Sequence, residues 1–193
     1  EGQRTVLALG EEAQELKVRE ETTADILHVA THGLFLSEKF GPRNPMSRSG
    51  LAFVGAQTTL DKWARGESVE PSADGLLTAE EVGTMNLSNT ELVVLSACDT
   101  GLGATENGEG VLGLRRGFVK SGARNLLFTL WPIDDSETVR FMTDFYRKLG
   151  SASPREALNK TQRDWLLRLK TEEGAVTAAR LAGPFVLSSV GAP

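Results

Sequence analysis

The chain has 193 residues, 40% hydrophobic and 24% charged, with a formal net charge of −5 at pH 7. That length suits one sizeable domain with its own core, and the negative balance leaves no basic footprint for nucleic acid. A single cysteine excludes an internal disulfide and fits a reducing, cytoplasmic setting. The longest apolar runs are too short for a bilayer, and no secretory signal opens the chain.

Residues 5–9 (TVLAL) predict a first strand, and residues 10–16 a helical turn or more. ILHVA at 26–30, between Asp25 and Thr31-His32-Gly33, predicts a short buried strand. Residues 37–74 are rich in Gly, Pro, Ser and Asn around an apolar island at 51–54. They predict a long excursion holding a small hairpin, since structureless loops of that length are rare in compact domains. Thr78-Ala79-Glu80-Glu81 has the pattern of a capping box and starts a short helix ending near Met85.

The next buried strand, 92–97, runs into Cys98 and a glycine-rich stretch at 101–110. Val111, Leu114, Phe118 and Val119 follow at helical spacing, with Gly122 as the stop. A strand at 125–130 comes next. Ser136 then caps a helix with Val139, Met142, Phe145, Tyr146 and Leu149 on one face. Ser153-Pro154 opens another, through Ala157, Leu158, Thr161, Trp165 and Leu169, with proline at its favoured first position. FVLSS at 185–189 supplies a final strand. Short apolar strands alternating with amphipathic helices point to a mostly parallel sheet covered on both faces.

In such sheets, sites form beyond the carboxyl ends of the strands, where both His32 and Cys98 fall. A lone cysteine is ordinarily a packing residue. Three features favour chemistry: Cys98 stands at its strand's edge, a polar glycine-containing loop follows it, and His32 occupies an equivalent edge before Gly33. An imidazole can take the thiol proton and later protonate a leaving amine. The Gly33 and Cys98 amides are the natural donors for an oxyanion. His28 shares a strand face with position 32 and can touch the site from below, although a core histidine satisfied by backbone is the favoured reading. No spacing for a metal site, no P-loop and no dinucleotide fingerprint is present, so neither metal nor cofactor is expected.

The strings ILHVATHG (26–33), DGLLTAEEV (74–82), LVVLSACDTGLG (92–103), GEGVLGLRRGFVKSGARNLLFTLWPIDD (108–135) and FMTDFYRKL (141–149) together resemble the CHAT domain. These caspase-like and separase-like cysteine peptidases are often attached to tetratricopeptide repeats in bacteria. The resemblance implies a caspase-like three-layer α/β fold with a mostly parallel sheet flanked by helices. It implies a single peptidase domain over 1–193, the catalytic part of a longer protein, in keeping with the Glu1-Gly2 start. His32 and Cys98 would be the catalytic dyad, with the Gly33 N–H in the oxyanion hole. LWPIDD (130–135) resembles the separase stretch whose aspartate lines a pocket for a basic P1 residue. Asp135 is the nearest equivalent, with Asp134 and Asp99 as other candidates; Asp134 and Asp135 also suit a helix N-terminus electrostatically.

Two departures stand out. RLAGPFVLSSVGAP replaces the family's usual histidine-proline and tryptophan-containing ending, and the resemblance implies that the N-terminal part of a full CHAT region lies outside this sequence. Expected partners are a protein or peptide substrate and a tetratricopeptide-repeat or other regulatory segment. The rival class is a non-catalytic or partner-activated interaction module. Another thiol–imidazole chemistry such as acyl transfer is the third.

Overall fold

The structure, a computed structural model, describes residues 4–21, 23–36, 44–70, 74–96 and 109–190. In chain order these form α1 (Glu15–Glu20), β1 (Ile26–Ala30), β2 (Gly33–Phe35), α2 (Pro45–Arg48), β3 (Ser49–Ala52), α3 (Ala56–Ala64), β4 (Leu76–Thr78) and α4 (Ala79–Val82). There follow β5 (Leu92–Ser96), α5 (Glu109–Lys120), β6 (Asn125–Thr129), α6 (Asp135–Leu149), α7 (Pro154–Glu172), α8 (Ala175–Ala182) and β7 (Phe185–Ser189).

The main sheet has the order β1-β5-β6-β7, parallel except for β7. Its two central strands are apolar at successive positions because both faces are covered. Val93, Leu95, Leu126 and Phe128 pack with Leu114 and Phe118 of α5 and Val82 of α4. Leu92, Val94 and Leu127 face the other way, against Phe141, Met142 and Phe145 of α6, Trp165 of α7 and Leu181 of α8. Phe141 ties that second layer together, stacked on Phe185 at 3.6 Å and edge-on to Trp165 at 5.2 Å. A second, antiparallel sheet has the order β2-β3-β4.

Local chemistry sets the element ends. The Thr78 hydroxyl accepts from the Glu81 N–H at 3.2 Å while the Glu81 carboxylate accepts from the Thr78 N–H at 2.9 Å. Ser153 and Glu156 repeat that reciprocal arrangement at the start of α7, with Pro154 in the first turn. Gly122, at φ +93°, turns the chain out of α5. Inside α5, Gly117 lies directly over the Ala79 carbonyl, leaving no room for a Cβ.

Several expectations change. Residues 5–9 form no strand, and Val6, Leu7 and Leu9 are 73%, 70% and 68% exposed: apolar composition makes no strand without a neighbour to pair with. β1 is an edge strand with only Val29 buried, because the ladder continues on one side alone. The 37–74 excursion carries α2 and α3, and the first half of its apolar island, Leu51 and Ala52, lies in β3, which pairs with β2 and β4 rather than within a local hairpin. Asp134, not Ser136, caps α6; its carboxylate accepts from the Ser136 N–H at 2.9 Å and from the Ser136 hydroxyl at 2.6 Å. Val139 and Val119 leave their expected faces, at 65% and 39% exposure.

Candidate active site

β1 and β5 lie side by side and parallel, with Ala30 opposite Ser96 at their carboxyl ends. His32 comes two residues after Ala30, where the chain crosses from the main sheet into β2. The crossing is fastened to β3 by two bonds, both to Ala52. The Ala52 N–H donates to the His32 carbonyl at 2.9 Å, and the Thr31 hydroxyl donates to the Ala52 carbonyl. The His32 side chain is exposed, and among the described residues no group hydrogen-bonds its ring.

Gly33 starts β2, an edge strand opposed by β3. Donation from Ala52 to His32 and from the Leu36 N–H to the Arg48 carbonyl at 2.8 Å puts the even-numbered residues of this stretch in register with β3. Because alternate residues of a strand bond to opposite sides, the Gly33 N–H points off the free edge. It is a backbone donor beside His32.

His28 lies on the α6 side of β1, and its partners are side chains rather than backbone. The Tyr146 hydroxyl is 2.9 Å from Nδ1, and Ser96 Oγ is 3.0 Å from Nε2. The expected core histidine is therefore replaced by one at an open edge, bridging α6 and β5. The residue as a whole is exposed, yet both ring nitrogens are engaged by side chains and burial holds the imidazole below its usual value. The same burial pushes the Tyr146 phenol up to about 12. Sequence reasoning missed both partners; the chain's single tyrosine, at the margin of an apolar helix face, was the available signal.

Asp134 and Asp135 leave the same rim, past β6, one strand beyond β5. The Asp134 carboxylate is held below the usual carboxylate range, first by the Ser136 hydroxyl and then by the Ser136 N–H. With Glu137, Glu173 and Arg180 it lines a cavity of about 180 Å³. Asp135 is exposed in the first turn of α6. Cys98 and Asp99 lie outside the described residues, as does most of the glycine-rich stretch after them. Among the described residues no group of three or more His, Cys, Asp or Glu is placed to hold a metal, and no helix is long and apolar enough to cross a membrane.

A mostly parallel sheet between helical layers, with a histidine-glycine pair at the carboxyl rim, defines a mixed α/β protein of the caspase-like class. The CHAT domain profile matches residues 1–180, and the chain belongs to that family of caspase-like peptidases. It is also similar to human tetratricopeptide repeat protein 28, 29% identical over 159 residues. That alignment takes in 73% of this chain and 6% of the human protein, so the chain spans a small part of that relative's length.

Proposed function

We propose that this chain is a cysteine endopeptidase in which Cys98 is the nucleophile and His32 the general base and acid. The observation that carries this reading is the parallel register of Ala30 with Ser96: His32 follows the one by two residues and Cys98 follows the other by two. The outward Gly33 N–H adds support, since a donor beside the base suits a developing oxyanion.

In the proposed reaction His32 takes the thiol proton and the sulfur attacks the scissile carbonyl carbon. The negative charge passes to the carbonyl oxygen, where the Gly33 and Cys98 amides bind it. Collapse breaks the C–N bond, and His32 returns the proton to the departing amine. Water, deprotonated by His32, then hydrolyses the thioester and restores the thiol. Asp135 is the leading candidate for recognising a basic P1 residue. Asp134 and Asp99 are the alternatives, and Asp134 is already engaged in capping α6. A protein or peptide is the substrate, and a tetratricopeptide-repeat segment the expected regulatory neighbour.

The test is cleavage of a peptide library by the full chain, read by mass spectrometry, with Cys98→Ala and His32→Ala as variants. Both should abolish cleavage while keeping the wild-type circular dichroism spectrum. Cleavage by either folded variant rejects the mechanism. A chain that neither cleaves nor takes up a peptide-based thiol-reactive inhibitor, even with its partner present, is an interaction module instead.

A further inference from the structure

β7 closes the main sheet on one side and pairs only with β6. The Leu130 N–H donates to the Pro184 carbonyl and the Val190 N–H to the Arg124 carbonyl, both at 3.0 Å, so the even-numbered residues of this stretch face β6. Alternate residues of a strand bond to opposite sides, which turns the backbone groups of Phe185, Leu187 and Ser189 outward. The Phe185 carbonyl is already taken, since Gln162 Nε2 of α7 donates to it at 2.9 Å. Among the described residues nothing bonds the outward N–H and C=O of Leu187 and Ser189. Sheet edges are ordinarily guarded by a charge, a proline or a bulge within the strand. FVLSS has no charge and no proline, and its register with β6 is unbroken.

Along this edge runs an open groove of about 450 Å³ between β7 and α7, with Leu158, Phe185 and Leu187 as its apolar wall. Arg155, about two helical turns before Gln162, lines it as well. Its side chain is exposed, and among the described residues no carboxylate pairs with it. We propose that this edge and groove dock an extended peptide segment of a partner protein, which adds to β7 as a further strand and brings a carboxylate to Arg155. Main-chain bonds to Leu187 and Ser189 would hold such a segment, and side-chain pockets would select it. Residues opposite one another in a ladder share a face, and Phe185 and Leu187 pack on the α6 and α7 side of the sheet. Every second residue of the added strand therefore enters the groove, apolar beside Leu187 and acidic beside Arg155. A second copy's β7 answers this site less well, because FVLSS brings no carboxylate. The groove stands two strands away from β5, and the proposal holds whether or not the chain cleaves peptides.

The probe is the acetylated, amidated pentapeptide ETVTV. Gln162 marks the Phe185 end of the groove, so antiparallel addition sets the glutamate beside Ser189 and Arg155 and the two valines beside Leu187 and Phe185. In an NMR titration of the isotope-labelled full chain, millimolar peptide should shift the Leu187 and Ser189 amides saturably. Methylating the backbone nitrogen of the central valine should abolish binding, because that N–H is the bond to β7. Glutamine in place of the glutamate should weaken binding about two- to fivefold, the span of one exposed ion pair, and Arg155→Ala should erase that difference. Ser189→Pro removes an outward donor at a place where an edge strand tolerates proline, so it should weaken binding with an unchanged circular dichroism spectrum. Absence of shifts, equal binding of the methylated peptide, or a glutamate preference that is missing in the wild type or survives Arg155→Ala each overturns the proposal. So does a wild-type chain that sediments as a dimer and is split by Ser189→Pro, which would give the edge to a second copy.

Discussion

Ala30 of β1 stands opposite Ser96 of β5 in a parallel ladder, and the backbone just beyond Ala30 is clamped by the Ala52 N–H on the His32 carbonyl. That clamp uses the β3 side of the stretch and leaves the Gly33 N–H on the open side. Proline is tolerated on an edge strand where the missing N–H faces outward. Gly33→Pro should therefore keep the fold but lower kcat about a hundred- to a thousandfold, the loss typical of one oxyanion donor. Gly33→Ala, which keeps the N–H, should lose far less. Steady-state kinetics beside circular dichroism decide the matter; undiminished turnover in folded Gly33→Pro removes Gly33 from the oxyanion site.

His28 links structure to pH. Burial behind the ring holds its folded pKa below the ordinary 6.5, so the unfolded chain binds the proton more readily. The stability supplied by the neutral ring is complete above that value and is lost as pH falls from it through the folded pKa. His28→Gln has no such proton to gain. Urea melts of wild type and His28→Gln between pH 7.5 and 5 should show the wild type losing its advantage on acidification. The slope of the difference stays well under about 1.4 kcal/mol per pH unit, because the residue as a whole is exposed. A difference that does not change with pH contradicts the assignment of a neutral, hydrogen-bonded imidazole.

What the sequence disclosed was what short-range patterns encode. The apolar runs of β5 and β6, the capping box at Thr78, the Ser153-Pro154 start of α7 and its buried face through Trp165 and Leu169 are each written within a few residues. His32 and Gly33 were legible as a strand-end pair for the same reason. The exposure of β1 was not, because burial of a strand depends on whether another pairs beyond it, and the ladder continues only toward β5. Nor were the partners of His28, which stand 68 and 118 positions away and meet it only after β5 and α6 have packed. Capping of α6 went to Asp134 rather than Ser136 because the aspartate carboxylate spans both the amide and the hydroxyl of Ser136, a choice between neighbours that residue type alone leaves open.

Gly117 gives a prediction in which two physical effects carry opposite signs. Helix propensity alone would make Gly117→Ala stabilising by about 1 kcal/mol. In the folded chain, however, the new Cβ would run into the Ala79 carbonyl, which is backbone and cannot turn aside. Forced overpacking of this kind costs about 1–3 kcal/mol, so the net effect should be a lower denaturation midpoint. A variant more stable than wild type would mean that α5 does not sit this close to α4.

The adjacent acids at the start of α6 can be separated by what each loses. Asp134 accepts from both the N–H and the hydroxyl of Ser136, so Asp134→Ala removes a cap and should cost about 1 kcal/mol in thermal or urea unfolding. Asp135 has an exposed side chain in the first turn, so Asp135→Ala should change stability much less. Its effect belongs in specificity. If the carboxylate recognises a basic P1 residue, a peptide library cleaved by the wild type should favour Arg or Lys there, and Asp135→Ala should flatten that preference while apolar P1 peptides keep their kcat/KM. Asp135→Asn preserves size and polarity without charge, so it separates Coulombic attraction from simple pocket shape. An unchanged basic preference in both Asp135 variants would transfer the role to Asp134 or Asp99, and an apolar or acidic preference in the wild type would remove it from all three.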